Sequence, residues 1–256
     1  MSENQEFKKF IEQLADVSEQ NILKYMDKDF SVEYKEDKSP VTIVDKSTEE
    51  ILRKMIEKEF PDHLIIGEEF GGSTDITDEY TWVLDPIDGT KSFIAGIPLF
   101  GTLIALLKDG KPFMGCINVP CQKERMIGVI GEETTLNGRV VRAKETGDIS
   151  NAVLLTTCMN DAIKYFGDTF LSLQSRVAYT RTWGDCYGHL MVACGRADIM
   201  IDPELNLWDI AALMPCVVGS GASFYNFDGD CMGLEDQVFS SCKNLKADVL
   251  AVLKNQ

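Results

Sequence analysis

The 256 residues carry 41 acidic and 25 basic side chains, which gives a formal net charge of −16. This charge argues against nucleic acid and anionic membrane surfaces as partners, because both are negatively charged. No apolar run reaches the ~20 residues of a transmembrane helix, and the polar N-terminus differs from a secretory signal peptide. We therefore expect a cytoplasmic, globular protein whose length allows one substantial core.

The cysteine and histidine content narrows the possible metal sites. The sequence has eight cysteines and two histidines, with neither a Cys-x-x-Cys pair nor a His-Glu-x-x-His motif. Without a secretion signal, the cysteines are interpreted as reduced structural thiols. A zinc site would need closer clustering of cysteine and histidine. Any bound metal is therefore expected to have oxygen ligands.

The first part of the chain contains two helical patterns and acids that follow short apolar runs. Apolar spacing predicts a helix over about residues 5–27. A β-branched run at 41–44 leads to Asp45, and a second helix is predicted to start at Ser47. Residues 63–66 suit a short strand, which ends in Gly67-Glu68-Glu69. Acids thus recur where a strand is expected to end.

The most informative stretch covers residues 80–90. It begins as an apolar strand and reaches Asp85, where Pro86 is expected to stop strand pairing because it has no N–H group. Asp88 follows on the same turn, and Gly89-Thr90 open a possible helix. Two carboxylates on a rigid turn suit a hard divalent cation, and a helix N-terminus suits a phosphate. An ordinary strand, turn and helix cap is the alternative, but it leaves Asp85 buried without a partner.

The rest of the chain predicts a strand-rich segment followed by alternating strands and helices. Strands are expected over 99–107, 113–119 and 125–130, with turn signals at Asp109-Gly110 and Asn137-Gly138. After these come strands near 152–156, 177–180 and 197–201, and helices over 161–172, 185–195, 208–220 and 243–253. We expect an α+β half (about 1–148) and an α/β half (about 149–256) in one compact unit, since no low-complexity linker separates them.

Four segments, taken together, carry a family signature. Alone, Asp209 at the start of an apolar helix is best interpreted as a first-turn acid, and Glu68 and Glu69 as surface acids. The four segments are Lys38-Ser39-Pro40-Val41-Thr42-Ile43-Val44-Asp45, Gly67-Glu68-Glu69, Asp85-Pro86-Ile87-Asp88-Gly89-Thr90 and Trp208-Asp209-Ile210-Ala211-Ala212. In this order along the chain, they resemble the inositol monophosphatase family of metal-dependent phosphatases that act on small molecules.

The resemblance implies a fold, a cofactor and residue roles. The fold would be a layered αβαβα sandwich of the inositol monophosphatase and sugar phosphatase type, usually a homodimer, with two or three Mg²⁺ ions per site. Asp45 and Thr90, together with Glu68, would position and deprotonate the attacking water, and the N–H groups of Gly89 and Thr90 would hold the phosphate. By position, the metal ligands would be Glu68, Asp85, the Ile87 carbonyl, Asp88 and Asp209.

The sequence contains the residue types that metal-assisted hydrolysis of a small phosphomonoester requires. Two Mg²⁺ ions about 3.5–4 Å apart can bridge the oxygens of a phosphomonoester and activate water without a covalent nucleophile. This agrees with the lack of a convincing Ser/His/Asp or Cys/His set. Bound cations also reverse the local sign of an acidic protein. The competing class is a non-catalytic metal-binding or ligand-binding protein on the same fold.

Three stretches carry a finer resemblance: 89–94, 98–107 and Gly184-Asp185-Cys186-Tyr187. They are more similar to the histidinol-phosphatase branch than to inositol monophosphatase proper. This similarity implies L-histidinol phosphate as substrate, cleaved to L-histidinol and phosphate in histidine biosynthesis, with inositol 1-phosphate or various sugar phosphates as alternatives. L-histidinol phosphate carries an ammonium and an imidazole, so its site should contain acids beyond those that bind the metals. Asp185 and Asp202 are the candidates, beside Asp88 and Asp209. A helix cap and an Asp-Pro turn are their structural alternatives.

Overall fold

The computed structural model describes residues 2–26, 28, 30–35, 39–72, 79–203, 205–230 and 238–254. Lys38, Cys231 and the centre of the predicted loop, 73–78, lie outside the described residues. Among the described residues, no helix has the length and apolar character that crossing a bilayer requires. The helices there are α1 (Glu3–Leu23), α2 (Ile43–Glu59), α3 (Thr90–Ile94), α4 (Met159–Arg176), α5 (Asp185–Ala193), α6 (Leu207–Gly219) and α7 (Lys246–Lys254).

The strands form two large sheets and one small hairpin. The hairpin pairs β1 (Val32–Tyr34) with β2 (Pro40–Thr42). One sheet runs in the order β3 (Leu64–Gly67), β4 (Tyr80–Asp88), β5 (Gly101–Lys108), β6 (Lys111–Val119), β7 (Glu124–Val129), β8 (Thr135–Leu136) and β9 (Arg139–Val140), antiparallel except for β3 and β4. The other contains β10 (Val153–Thr156), β11 (Tyr179–Arg181), β12 (Ile199–Asp202), β13 (Ser223–Asn226) and β14 (Val238–Ser241), in the order β11-β10-β12-β14-β13.

Alternate residues of the strands face different layers, as the two-residue period of a β-strand requires. On β4, Trp82 and Leu84 pack with α1 and α2, whereas Val83 faces α5 and α6. On β10, Leu154 packs with α4 and α7, whereas Leu155 joins the same middle layer as Val83. The layers follow the order helices, sheet, helices, sheet, helices, which confirms the predicted αβαβα sandwich.

Helix α6 joins the two parts of the chain, because it follows β12 in sequence but packs on the seven-stranded sheet. Its close approach depends on two glycines. A Cβ atom at Gly115 would lie 2.1 Å from the Ala212 carbonyl oxygen, and one at Gly128 would lie 2.4 Å from the Pro215 carbonyl. Any larger residue would force the helix away from the sheet. On this basis we propose that the halves, about 1–148 and 149–256, form one folding unit.

The predicted start of the second helix is wrong by four residues. Helix α2 begins at Ile43, so Asp45 lies in its first turn rather than after a strand. The Thr42 hydroxyl accepts from the N–H groups of Val44 (3.1 Å) and Asp45 (3.4 Å), and the Asp45 carboxylate accepts from the Thr42 N–H at 2.8 Å. This reciprocal cap outweighs the β-branched character of the residues around it.

Strand β4 also continues further than predicted. Pairing with β5 does not stop at Pro86: the register shifts between Asp85 and Asp88, and Asp88 pairs again opposite Gly101. A bulge accommodates the missing N–H of the proline without ending the strand. Among the other differences, β1 and β14 are strands that the sequence patterns did not predict.

The turn after β3 is held in place by helix α2. Glu49, whose side chain is fully buried, accepts hydrogen bonds from the N–H groups of Glu69 (2.7 Å) and Phe70 (3.3 Å). Arg53, one helical turn later, donates from Nε to Glu49 at 2.7 Å and from Nη2 to the Gly71 carbonyl. The buried pair therefore fixes both ends of the turn.

We expect Glu49→Gln to lower the free energy of unfolding by about 2–4 kcal/mol, because an amide deprives Arg53 of its carboxylate and cannot satisfy the same three donors. Glu50→Gln is the matched control, since Glu50 also pairs at i,i+4, with Lys54, but has a side chain that is 57% exposed. Its loss should be within about 0.5 kcal/mol. Urea unfolding measures both, and similar small losses would contradict this role of Glu49.

Candidate active site

Strand ends and a helix start bring three acids together. Asp85 and Asp88 lie at the end of β4, and Asp209 lies in the first turn of α6. Carboxylate oxygens of the three lie within 4.8 Å of one another. Three negative charges at this separation repel one another strongly, and burial increases the repulsion because less water screens it. Three of the five predicted ligands thus lie close together.

Asp85 shows most clearly that the site suits a cation. It is 2% exposed, and its Oδ1 atom has no hydrogen-bond partner among the described residues. Burial raises the pKa of Asp85 well above its ordinary value, and the nearby charges of Glu68, Asp88 and Asp209 raise it further. Clustered carboxylate oxygens with an unused lone pair are the donors that Mg²⁺ prefers. The residues present therefore fit a divalent cation of this kind.

Backbone N–H groups fix the other two acids of the cluster. Asp88 accepts a hydrogen bond from the N–H of Cys186, at the start of α5, and Asp209 accepts from the N–H of Asn206 at 2.7 Å. Burial raises the pKa of Asp88 to about 6 and that of Asp209 well above its ordinary value. Asp209 is therefore both a first-turn acid of its helix and a member of the cluster, so the two interpretations of this residue are compatible.

Glu68 lies beside the cluster but is held by a lysine. It follows β3, and its N–H donates to the Leu84 carbonyl at 3.1 Å, which places it next to the end of β4. Lys35, from the β1–β2 hairpin, contacts carboxylate oxygens of both Glu68 and Glu69 at 2.8 Å. Burial raises the pKa of Glu69 to about 7. Lys35 was not predicted from the sequence, because no motif marks a residue whose partners lie more than thirty positions away.

Asp45 and Thr90 contact each other near the end of β4. The Thr90 hydroxyl lies 3.3 Å from Asp45 Oδ1 and 3.0 Å from the carbonyl oxygen of Ile87. Asp45 is fully buried, and burial raises its pKa. Gly89, immediately before, has φ = 86°, a left-handed conformation that favours glycine. The predicted water-activating pair is thus in contact, next to the first turn of α3.

A cavity of about 370 Å³ opens beside the cluster. Asp185 and Asp202, the predicted substrate residues, both line it. Burial and the neighbouring Asp88 raise the pKa of Asp185 to about 7. Among the described residues of the lining, five aspartates stand beside one lysine, so the cavity favours cations. The described residues of the lining are Asp88, Lys91, Ser92, Thr157, Cys158, Asp161, Asp185, Asp202, Pro203, Leu205 and Asp209.

Asp161 and Thr157 are among the residues of this cavity that were not predicted from the sequence. Asp161 belongs to the first turn of α4, and its pattern is that of any helix-start acid. Thr157 follows β10, and its hydroxyl contacts Asp202 at 2.6 Å. Neither residue belongs to one of the motifs, so only the folded arrangement reveals them.

The comparisons with known proteins agree with this geometry. A family model described as the inositol monophosphatase family matches residues 3–255. The bifunctional phosphatase IMPL2, chloroplastic, of Arabidopsis thaliana is 41% identical over 217 residues, covering 84% of this chain but only 63% of that protein. A histidinol-phosphatase of Chlorobaculum parvum is 33% identical over 232 residues, which cover 86% of each chain.

A solved structure shows the same fold. The inositol monophosphatase from Zymomonas mobilis aligns with a TM-score of 0.88 at 32% identity, over 99% of this chain and 100% of that chain. The family match over nearly the whole chain and the clustered acids lead to the same assignment. The chain belongs to the inositol monophosphatase family, a family of metal-dependent phosphoric monoester hydrolases.

Proposed function

We propose that this chain hydrolyses a small phosphomonoester with the help of two or three Mg²⁺ ions. The observation that carries the proposal is the cluster of Asp85, Asp88 and Asp209 at one end of an acidic cavity, with a buried Asp85 oxygen that has no protein partner among the described residues. Glu68 and the Ile87 carbonyl would complete the ligand set. When bound, Mg²⁺ would neutralise these acids, polarise the phosphate and lower the pKa of water.

Asp45 and Thr90 suit the removal of a proton from the attacking water. When the Thr90 hydroxyl donates to Asp45 Oδ1, its lone pairs are left to accept a hydrogen bond from water. Burial raises the pKa of Asp45, which makes this carboxylate a better proton acceptor. The Glu68 carboxylate can orient the same water. The N–H groups of Gly89 and Thr90, at the start of α3, can donate to the phosphate oxygens.

The acidity of the cavity supports a cationic leaving alcohol, and we propose L-histidinol phosphate, cleaved to L-histidinol and phosphate. Asp185 and Asp202 would contact the ammonium or imidazole, with Asp88 and Asp209 nearer the phosphate. The histidinol-phosphatase relative supports this choice at 33% identity. The inositol monophosphatase structure, at 32% identity, keeps inositol 1-phosphate and other sugar phosphates as alternatives.

The proposal includes a cellular location and an oligomeric state. The cysteines that the structure describes carry no disulfide, which supports a cytoplasmic location. The family resemblance supports a homodimer. A non-catalytic metal-binding protein is the alternative from a different class, and a phosphate-release assay with and without EDTA separates it from a phosphatase.

The first prediction concerns the clustered acids. Asp88→Asn and Asp209→Asn should each lower kcat/KM by at least about 100-fold, because each removes a charge that the cations need. Without metal, Tm should stay level or rise, because repulsion within the cluster falls. Glu50→Gln, an exposed acid-to-amide change outside the cavity, is the activity control. Either cluster variant with wild-type turnover and an intact requirement for Mg²⁺ would refute the assignment.

The second prediction concerns pH. Without metal, the native chain binds more protons than the unfolded chain between the ordinary carboxyl pKa and the raised value of about 6 at Asp88, so its stability falls as pH rises through this range. Mg²⁺ binds the ionised carboxylates and offsets that loss. The rise in Tm caused by Mg²⁺ should therefore be larger at about pH 8 than at about pH 5. Melting curves with Mg²⁺ or EDTA at each pH test this, and an equal or larger shift at the lower pH would contradict it.

The third prediction concerns the substrate. Asp185→Asn should lower kcat/KM for L-histidinol phosphate by about ten- to a hundred-fold, through loss of a charge-assisted hydrogen bond. Glycerol 2-phosphate, which is neutral outside its phosphate, should be cleaved almost as before. Equal losses on both esters would show that Asp185 supports the fold or the metals instead. A wild-type preference for inositol 1-phosphate would refute the substrate but leave the phosphatase proposal intact.

A further inference from the structure

A single hydroxyl connects the two acids on the cavity wall. The Thr157 hydroxyl lies 2.6 Å from Asp202 Oδ2 and 2.8 Å from the backbone N of Asp185. The Asp185 N–H can only donate, so the hydroxyl accepts from it and keeps its own hydrogen for Asp202. The bond to Asp202 is charge-assisted, which makes it shorter and stronger than a bond between neutral groups. The hydroxyl therefore fixes a side chain on one side and a backbone on the other.

The start of α5 has little freedom to move away from Thr157. A Cβ atom at Gly184 would lie 2.2 Å from the Thr157 Cα, so the two backbones are in direct contact. Asp185 has φ = 50°, a left-handed conformation that a residue with a side chain adopts at a cost. The bond from its N–H to Thr157 stabilises this conformation. The next N–H, that of Cys186, is bound to Asp88.

The fixed backbone of Asp185 also determines where its carboxylate lies. Its Oδ2 atom lies 3.5 Å from the Ser92 hydroxyl and would be 3.0 Å from a Cβ at Gly89. Both Asp185 and Asp202 line the cavity next to the acid cluster. Without the Thr157 hydroxyl, Asp202 would lose a donor and Asp185 would lose the contact that holds its backbone.

We propose that Thr157 is a positioning residue for specificity, which holds Asp185 and Asp202 in the arrangement that recognises a cationic amino-alcohol phosphate. The inference rests on the proposed function, because it requires these acids to face the leaving alcohol. Thr157 itself acts through the two acids. Its contribution should therefore depend on the charge of the ester and be small for a neutral one.

The neighbouring threonine provides a matched control. The Thr156 hydroxyl is buried and has no hydrogen-bond partner among the described residues. Thr156→Val and Thr157→Val are the same change at adjacent positions, and only the second removes a hydrogen-bonded hydroxyl. Thr157→Ser restores the hydroxyl, and Thr157→Ala removes it with less bulk beside Gly184 should the valine variant fail to fold.

The experiment compares kcat and KM of these variants, with Mg²⁺, for L-histidinol phosphate and glycerol 2-phosphate. Thr157→Val should lower kcat/KM for the cationic ester by about tenfold, mainly through KM, and leave the neutral ester within about twofold. Thr157→Ser should recover most of the loss, and Thr156→Val should match the wild type on both esters.

The outcomes separate this inference from the proposed substrate. If the wild type does not prefer the cationic ester, the proposed substrate class is wrong and the inference falls with it. If the wild type prefers the cationic ester and Thr157→Val keeps that preference, the inference alone is wrong. Equal losses on both esters, or no recovery in Thr157→Ser, would also overturn it, since they indicate a structural role.

Discussion

Repulsion among buried carboxylates is the interaction on which the rest of this structure depends. Asp85, Asp88 and Asp209 bring oxygens within 4.8 Å of one another, and burial raises the pKa of each. If the surrounding structure did not hold them, these carboxylates would move apart or bind protons. The packed layers prevent separation, because α6 lies in the middle layer and packs directly on the sheet that contains β4. A divalent ion bound at these acids would remove the repulsion that the fold maintains.

The acids at the metal end and those on the cavity wall form one connected network. Asp88 accepts the N–H of Cys186, the preceding N–H belongs to Asp185, and that group is bound by Thr157, whose hydroxyl reaches Asp202. In the proposed complex, the start of α5 would therefore relate the position of the phosphate to that of the alcohol. In the proposed reaction, phosphate lies on the cations while a charged alcohol lies among the remaining acids. In this proposal, cations would reverse the sign at one end of the cavity and allow a protein of net charge −16 to bind a phosphate ester.

Local patterns and the family resemblance predicted different parts of the structure. Apolar spacing predicts most of the helices and strands, and the motif around Asp85 predicts two carboxylates on one turn. The layered sandwich and the grouping of Asp209 with this pair were implied by the resemblance. Prediction fails where a local signal competes with another or where the partner is distant in sequence. Thr42 belongs to a β-branched run, yet its hydroxyl caps α2 and moves Asp45 into the helix. Thr157 and Lys35 belong to no predicted site, since their partners lie 28 to 45 residues away.

The central claim is that the clustered acids form the cation site at which phosphate is bound. Anomalous diffraction from crystals soaked in Mn²⁺ with inorganic phosphate tests it most directly, because Mn²⁺ accepts the same oxygen ligands as Mg²⁺ and its position is observed without reference to activity. We predict anomalous peaks in contact with Asp85, Asp88 and Asp209, with phosphate density between them and the first turn of α3. A map with no peak at these acids, while Mn²⁺ occupies other carboxylates of the same molecule, would contradict the account.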